Sequence, residues 1–354
     1  MLSQASKPGP EAARLGAVRD RAVAGPAEPL LDIRGLGISF GRAASRTAVT
    51  RDISFAVEKG QCVGLVGESG CGKTVTGLAL MGLLPLSGSH FDGEVLFRGE
   101  NLLRLSERQW RSKRGRHIGM IFQEPMSALD PVFTIGEQIS ETLRAHFRIN
   151  RKEARERAID ALAKVGIPDP SVRYEAYPHE LSGGMRQRAM IAMAISCEPA
   201  LLIADEPTTA LDVTVQAQIM DVLADLNQRM GMAILFISHD LGLVSQACDR
   251  LVTMYAGEVV ESGAIDDVLV EPRHPYTSGL LRSLPTFSPR KSRLPSIPGR
   301  VPKAGEFPHG CRFESRCAHA RPRCRVPQPI HTLPTGAHVR CCRHEELDLP
   351  GVTQ

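Results

Sequence analysis

Several things are missing from this 354-residue chain, and each absence narrows the reading. No apolar run approaches the ~20 residues that a bilayer-crossing helix requires. The longest, "AILFI" (233–237) and "MIAMAI" (190–195), have the length of core segments. Residues 1–28 contain Arg, Pro, Gly and Ala but no continuous apolar stretch, which argues against a secretory signal and for a disordered extension. A net charge of +4 is too small to argue for nucleic acid by itself. No internal repeat is visible, and no C-x2-C pair of the zinc-ribbon type occurs. The expected location is the cytosol, with any membrane link supplied by a partner.

What is present fits a globular chain longer than one typical domain of ~100–200 residues. Hydrophobic residues at 42% and charged residues at 23% suffice for a sizeable core. From Leu30 to about Gly60 the alternation in "LLDIRGLGISF" and "AVTRDISFAV" predicts antiparallel strands. "CVGLV" (62–66), "ALLIADEP" and "MAILFISHD" are apolar runs ending in polar tips, the pattern of buried parallel strands with a ligand along their ends. Between Ala210 and the third of these, Val215, Ile219, Val222, Leu223 and Leu226 share one helical face. From about 125 to 197 the pattern is helical, broken by Pro168, Pro170 and Pro178. After about Pro272 proline and basic residues accumulate and periodicity fades. The expected division is an extension (1–28), a main domain (29–271), a small C-terminal domain (272–345) and a tail (346–354).

"GESGCGKT" satisfies G-x-x-x-x-G-K-[ST] from Gly67 to Thr74, between a predicted strand and a predicted helix. Its stretch Gly67, Glu68, Ser69, Gly70, Cys71, Gly72 can turn backbone N–H groups onto phosphate oxygens, at the positive end of the following helix. Lys73 would neutralise phosphate charge, and the Thr74 hydroxyl would ligate Mg²⁺. Asp205, at the tip of "LLIAD", suits Mg²⁺ binding, and Glu206 suits orienting or deprotonating the attacking water. "LSGGM" (181–185) offers a Ser182 hydroxyl, the open backbones of Gly183 and Gly184 and a helix start. On its own that would be an ordinary serine-capped helix.

The order "GESGCGKT", "IFQEP", "LSGGM", "LLIADEP", "ALD", "ISHD" resembles that of ABC-type ATPases over roughly residues 30–265. The resemblance implies an α/β P-loop NTPase fold with a mostly parallel core sheet, an N-terminal antiparallel β-subdomain and a helical subdomain. It implies that ATP is held between this chain's P-loop and the LSGG turn of a second ATPase subunit. It also gives roles to Gln123 (Mg²⁺ or lytic water), His239 (γ-phosphate) and Asp212 (subunit boundary). Phe40 stands where the family stacks an aromatic on adenine, although a strand Phe is also a common core residue. Met185 replaces the commoner glutamine of LSGGQ.

"QEPMSALDPVFTIGEQI" (123–139), "HPYTSGLLRSLP" (274–285), "IPGRVP" (297–302) and "GCRFESRC" (310–317) resemble the ATP-binding subunits of bacterial dipeptide and oligopeptide importers. That branch implies a position on the cytoplasmic face of the inner membrane, a paralogous second ATPase subunit, two transmembrane permeases and a periplasmic substrate-binding protein, with no nucleic acid. Relatives in the branch carry nickel, glutathione or haem precursors. Non-transport ABC ATPases, the rival class, show heptad insertions or tandem cassettes that this chain lacks.

Nine cysteines divide into two groups. Cys62, Cys71, Cys197 and Cys248 sit in apolar surroundings and are expected to be small core residues. Cys311, Cys317, Cys324, Cys341 and Cys342 crowd the end, where a reducing compartment leaves a metal site or free thiols. Four thiolates at Cys311, Cys317, Cys324 and Cys341, with Cys342 as a substitute for Cys341, suit a [4Fe–4S] cluster, and some members of the branch bind one in this segment. Zinc and idle thiols are the alternatives. Twelve Lys/Arg against two Glu between Arg290 and His344 lead to the expectation of lowered thiol pKa values.

Overall fold

The computed structural model describes residues 28–42, 45–85, 87–209, 211–284 and 295–352. The extension expected at the N-terminus lies outside the described residues, save for Glu28. Twelve strands are labelled in chain order: β1 (Leu31–Phe40), β2 (Thr47–Val57), β3 (Cys62–Val66), β4 (Ser89–Phe97), β5 (Glu100–Asn101), β6 (Ile118–Ile121), β7 (Leu201–Asp205), β8 (Ala233–Ser238), β9 (Arg250–Tyr255), β10 (Glu258–Ala264), β11 (His331–Thr332) and β12 (His338–Val339). They form an antiparallel sheet ordered β2-β1-β4-β5 and an eight-stranded sheet ordered β11-β12-β10-β9-β3-β8-β7-β6.

The larger sheet is parallel from β6 through β7, β8 and β3 to β9, and antiparallel beyond. β3 is apolar throughout, and β7 and β8 are apolar up to their last residue, because both faces are covered. Successive residues go to opposite sides. Val63, Leu65, Leu201, Ile203, Leu235 and Ile237 join a core with Leu31, Ile33, Val57 and Phe97 of the antiparallel sheet. Val66, Leu202, Ala204, Ile234 and Phe236 join a second core with the helices. A strand slipped by one residue would exchange these two sets.

The helical subdomain runs from Pro125–Ala128 to Gly183–Ile195. Its helices begin where the chain supplies a cap: Thr134 and Glu137 form a capping box before Ile135–His146, and Asn150 caps Arg151–Lys164. Asp212 caps the long helix Val213–Met230, whose buried face carries Ile219, Leu223 and Leu226. The two backbone bonds Ile135 N–H to Ala176 O and Gly136 N–H to Tyr174 O, each 2.9 Å, tie the start of this subdomain to its later loop.

The C-terminal segment extends the core sheet. β12 pairs with β10, and Tyr255, Val260, Tyr276 and Phe313 form a third core that unites residues before and after 272. The last residues fold back as well: Leu349 is buried, and Val352 N–H donates to Leu269 O at 2.8 Å. Cys62, Cys71, Cys197 and Cys248 are all buried, as their apolar surroundings predict.

Candidate active site

The P-loop leaves β3 and enters the helix Lys73–Leu80. Two glycines are required by its path. A Cβ on Gly67 would lie 2.2 Å from Met254 O, and Gly70 has φ +80° in otherwise open space. Ser69, Gly70 and Thr74 are exposed, whereas Lys73 is buried. Its Nζ donates to Gly67 O at 2.6 Å and Glu68 O at 3.2 Å, so the ammonium spans the mouth of the loop where phosphate charge would need it.

Thr74 Oγ1 donates to Asp205 Oδ1 at 3.3 Å, which brings the hydroxyl and carboxylate expected around Mg²⁺ together from opposite ends of two elements. Burial pushes the Asp205 carboxyl up to about 6; Glu206 adds to the shift, and the Thr74 hydrogen bond and Lys73 oppose it. A divalent cation there would keep the carboxylate ionised.

Glu206 is the meeting point of the catalytic candidates. Gln123 Nε2 donates to its Oε2 at 3.1 Å, and His239 Nδ1 lies 3.2 Å from its Oε1. Thr209 Oγ1 donates to Oε2 at 2.9 Å, a contact that the motif reading did not include. Glu206 has φ +46°, an uncommon conformation for a residue with a side chain. Its own N–H donates to Ile237 O at 2.9 Å, and Thr209 N–H returns to its carbonyl, so the turn that aims the carboxylate is held at both ends. Phe40 ends β1 and is partly packed against the core between the sheets.

Ser182, Gly183 and Asp212 are exposed, and Gly184 is half-buried. Ser182 Oγ accepts from Met185 N–H at 3.3 Å, and Asp212 Oδ1 accepts from Val215 N–H at 3.0 Å. A Cβ on Gly184 would come within 2.9 Å of Val215, and one on Gly183 would face Leu211. Gln187, buried on the same helix, donates to Pro207 O beside Glu206. The helix that begins at LSGG is thereby tied to the catalytic turn of its own chain. Met185, at the departure from LSGGQ, packs against the helical core.

The thiol expectation is corrected by the structure. Burial pushes Cys311 up to about 12 and Cys341 up to about 11, and it raises Cys317 and Cys342 too. Arg343 lowers the Cys317 thiol and Arg323 lowers that of Cys342, but burial outweighs both. Arg312 pairs with Glu258, Arg316 with Glu68, Arg340 with Asp52 and Arg323 with Glu346. Cys311, Cys317, Cys324 and Cys341 line one recess together with His274, Phe313 and Leu347. Cys342 lies 3.9 Å from Cys324, sulfur to sulfur. Among the described residues no group of three or more Cys, His, Asp or Glu side chains is arranged to hold a metal ion.

Comparison with known proteins now decides the family. Residues 50–209 match the family described as ABC transporter, and residues 260–324 match the Oligopeptide/dipeptide transporter, C-terminal region. A probable peptide ABC transporter ATP-binding protein of Sinorhizobium fredii is 50% identical over 318 residues, covering 89% of this chain and 95% of that one. The chain belongs to the ABC transporter ATP-binding proteins. The dipeptide transport ATP-binding protein DppD of Escherichia coli is 48% identical over 323 residues, 91% of this chain and 98% of its own. Among solved structures, cbiO1 from Clostridium perfringens, part of the ABC transporter complex cbiONQ, aligns with TM-score 0.58 at 26% identity over 68% of this chain and 91% of that one. As an ABC ATPase the chain hydrolyses ATP, and an importer ATPase of this kind works as a dimer with membrane permeases. No helix among the described residues is long and apolar enough to cross a membrane.

Proposed function

We propose that this chain is the ATP-hydrolysing subunit of a bacterial importer of di- and oligopeptides. The observation that carries this reading is near-full-length similarity, at 48–50% identity, to proteins named for peptide and dipeptide transport, with the oligopeptide-transporter C-terminal region included. Growth of a deletion strain on a required amino acid supplied only as a dipeptide tests it. Loss of growth, restored by the wild-type chain but not by Glu206→Gln, is expected. Undiminished dipeptide uptake, with loss of nickel, glutathione or haem-precursor uptake instead, would reassign the cargo.

In this reading, Lys73 and the P-loop N–H groups would hold the phosphates, and Thr74, Asp205 and Gln123 would hold Mg²⁺, which would offset phosphate charge. The Glu206 carboxylate takes or orients a proton of the attacking water, with His239 and Gln123 fixing its direction. Ser182, Gly183 and Gly184 serve the γ-phosphate on the partner ATPase subunit. The exposure of Ser182 and Gly183 supports that division. So does Val213, 81% exposed beside Asp212, an apolar side chain placed where a second subunit would cover it. Val132, Phe133, Val172 and Tyr177 are exposed apolar side chains within the helical subdomain, which we assign to contact with a permease subunit at the cytoplasmic face of the inner membrane. The partner ATPase is proposed to be a paralogue, and substrate delivery to fall to a periplasmic binding protein.

For the C-terminal cysteines we propose a [4Fe–4S] cluster on Cys311, Cys317, Cys324 and Cys341. Four thiols line one recess, the ligand number that a [4Fe–4S] cluster takes, although among the described residues no group of three or more Cys, His, Asp or Glu is arranged as a metal site. Burial raises the Cys311, Cys317 and Cys341 thiols, so a bound group would have to supply the positive charge that ionises those three. Anaerobically purified protein should contain iron and acid-labile sulfide with broad visible absorbance; stoichiometric zinc with neither would replace the cluster by zinc.

A further inference from the structure

We propose that the C-terminal segment supplies two positioning residues for the ATP site, Arg316 and Tyr276, which hold the P-loop through Glu68. The second residue of "GESGCGKT" is gripped on three sides. Its carbonyl accepts from Lys73 Nζ at 3.2 Å. Its N–H donates to the Tyr276 hydroxyl at 2.9 Å. Its carboxylate receives both Arg316 terminal nitrogens, Nη1 to Oε1 at 2.9 Å and Nη2 to Oε2 at 3.1 Å. Two of the three holds come from positions more than 200 residues away in the chain.

Both holding groups are rigidly seated. Tyr276 is fully buried, and its ring packs against Tyr255 at 4.7 Å and Phe313 at 5.3 Å between centroids. Arg316 is 8% exposed; its Nε donates to Pro298 O at 2.7 Å, and its guanidinium lies 5.6 Å from the Tyr255 ring centroid. Glu68 is therefore a hinge point of the loop whose direction is set by a two-pronged, planar contact, a geometry that lysine cannot reproduce. Arg316 reaches the loop through the Glu68 carboxylate, and so acts by fixing the turn from which Ser69 and Gly70 present their backbone. On this view the segment after 272 is part of the ATP site, and the chain position next to Cys317 is in direct contact with the P-loop.

The inference rests on the P-loop reading, and Lys73→Ala tests that reading separately, since it leaves the Glu68 contacts with Arg316 and Tyr276 in place and should abolish ATP binding. The direct test is equilibrium titration of the full-length chain with a fluorescent ATP analogue and Mg²⁺, with thermal unfolding in parallel. Arg316→Gln should weaken binding about 10-fold, the value of one charge-assisted hydrogen bond. Arg316→Lys should recover part of that loss, and Tyr276→Phe should weaken binding about 3-fold. Glu68→Ala decides between positioning and simple charge. Removing a carboxylate near phosphates would by charge alone tighten ATP binding, whereas loss of positioning weakens it. The double variant Glu68→Ala with Arg316→Gln should bind no more weakly than the worse single variant. Wild-type or tighter binding by folded Glu68→Ala, multiplicative losses in the double variant, or full recovery by lysine at 316 would each overturn the proposal. Should Arg316→Gln fail to fold, Glu68→Ala, at a partly exposed side chain, still decides it.

Discussion

Replacing Asp205 by asparagine should stabilise the nucleotide-free protein, and do so more at alkaline than at acid pH. Asp205 closes the fully buried strand β7 and carries its carboxyl beside Glu206, with a value raised from 3.8 to about 6 by burial. A folded value above the unfolded one means that the native protein keeps a proton which the unfolded chain has released. The contribution to stability is full below about pH 3.8, drains away as pH rises to about 6, and stays low above that. Two pKa units correspond to about 3 kcal/mol, an upper bound for the strain stored by the ionised carboxylate without a metal. Asparagine keeps the shape and an acceptor for the Thr74 hydroxyl but no charge. Its advantage over wild type should grow by about 1.5 kcal/mol between pH 5 and pH 8, read from urea unfolding in the presence of a chelator. Adding MgATP should reverse the order, because the carboxylate then meets the cation that it is strained to receive. A difference that is flat with pH, or that widens toward acid, would refute the reasoning.

Glu206→Gln should lower ATP turnover at least about 100-fold while leaving nucleotide affinity near wild type, the pattern of a group needed only in the transition state. Thr209→Val removes one hydrogen bond from the Glu206 carboxylate and should reduce turnover about 3- to 10-fold without altering ATP binding; an unchanged rate would show that the turn holds its aim unaided. Ser182→Arg should abolish turnover in the assembled pair yet leave ATP binding to the isolated chain intact, measured by the same titration on monomer and dimer.

The pieces legible in the sequence were those whose chemistry is local. "CVGLV", "LLIAD" and "AILFIS" announced buried strands because both their faces are covered, and their polar ends placed Asp205, Glu206 and His239 on one edge. Gln123 and His239 arrived at Glu206 because each follows or ends a neighbouring strand of that sheet. Contacts across long separations left no such mark. Nothing in "GESGCGKT" or "GCRFESRC" announces that Glu68 and Arg316 are partners, nor that Tyr276 of "HPYT" receives a P-loop N–H. The cysteine chemistry was misjudged for a related reason. Counting arginines along the chain treats them all as a field around the thiols, but Arg312, Arg316 and Arg340 pair with distant carboxylates, and burial outweighs what Arg323 and Arg343 contribute. Thr209 could have been found by asking which hydroxyl lies three residues beyond Glu206 on the same turn.

The central claim is that each ATP is completed by two subunits. ATP turnover per subunit, followed across serial dilution with sedimentation of the same samples, tests it most directly. Turnover confined to the dimeric fraction, vanishing as the monomer takes over, is the predicted result. Undiminished turnover by monomers would contradict it.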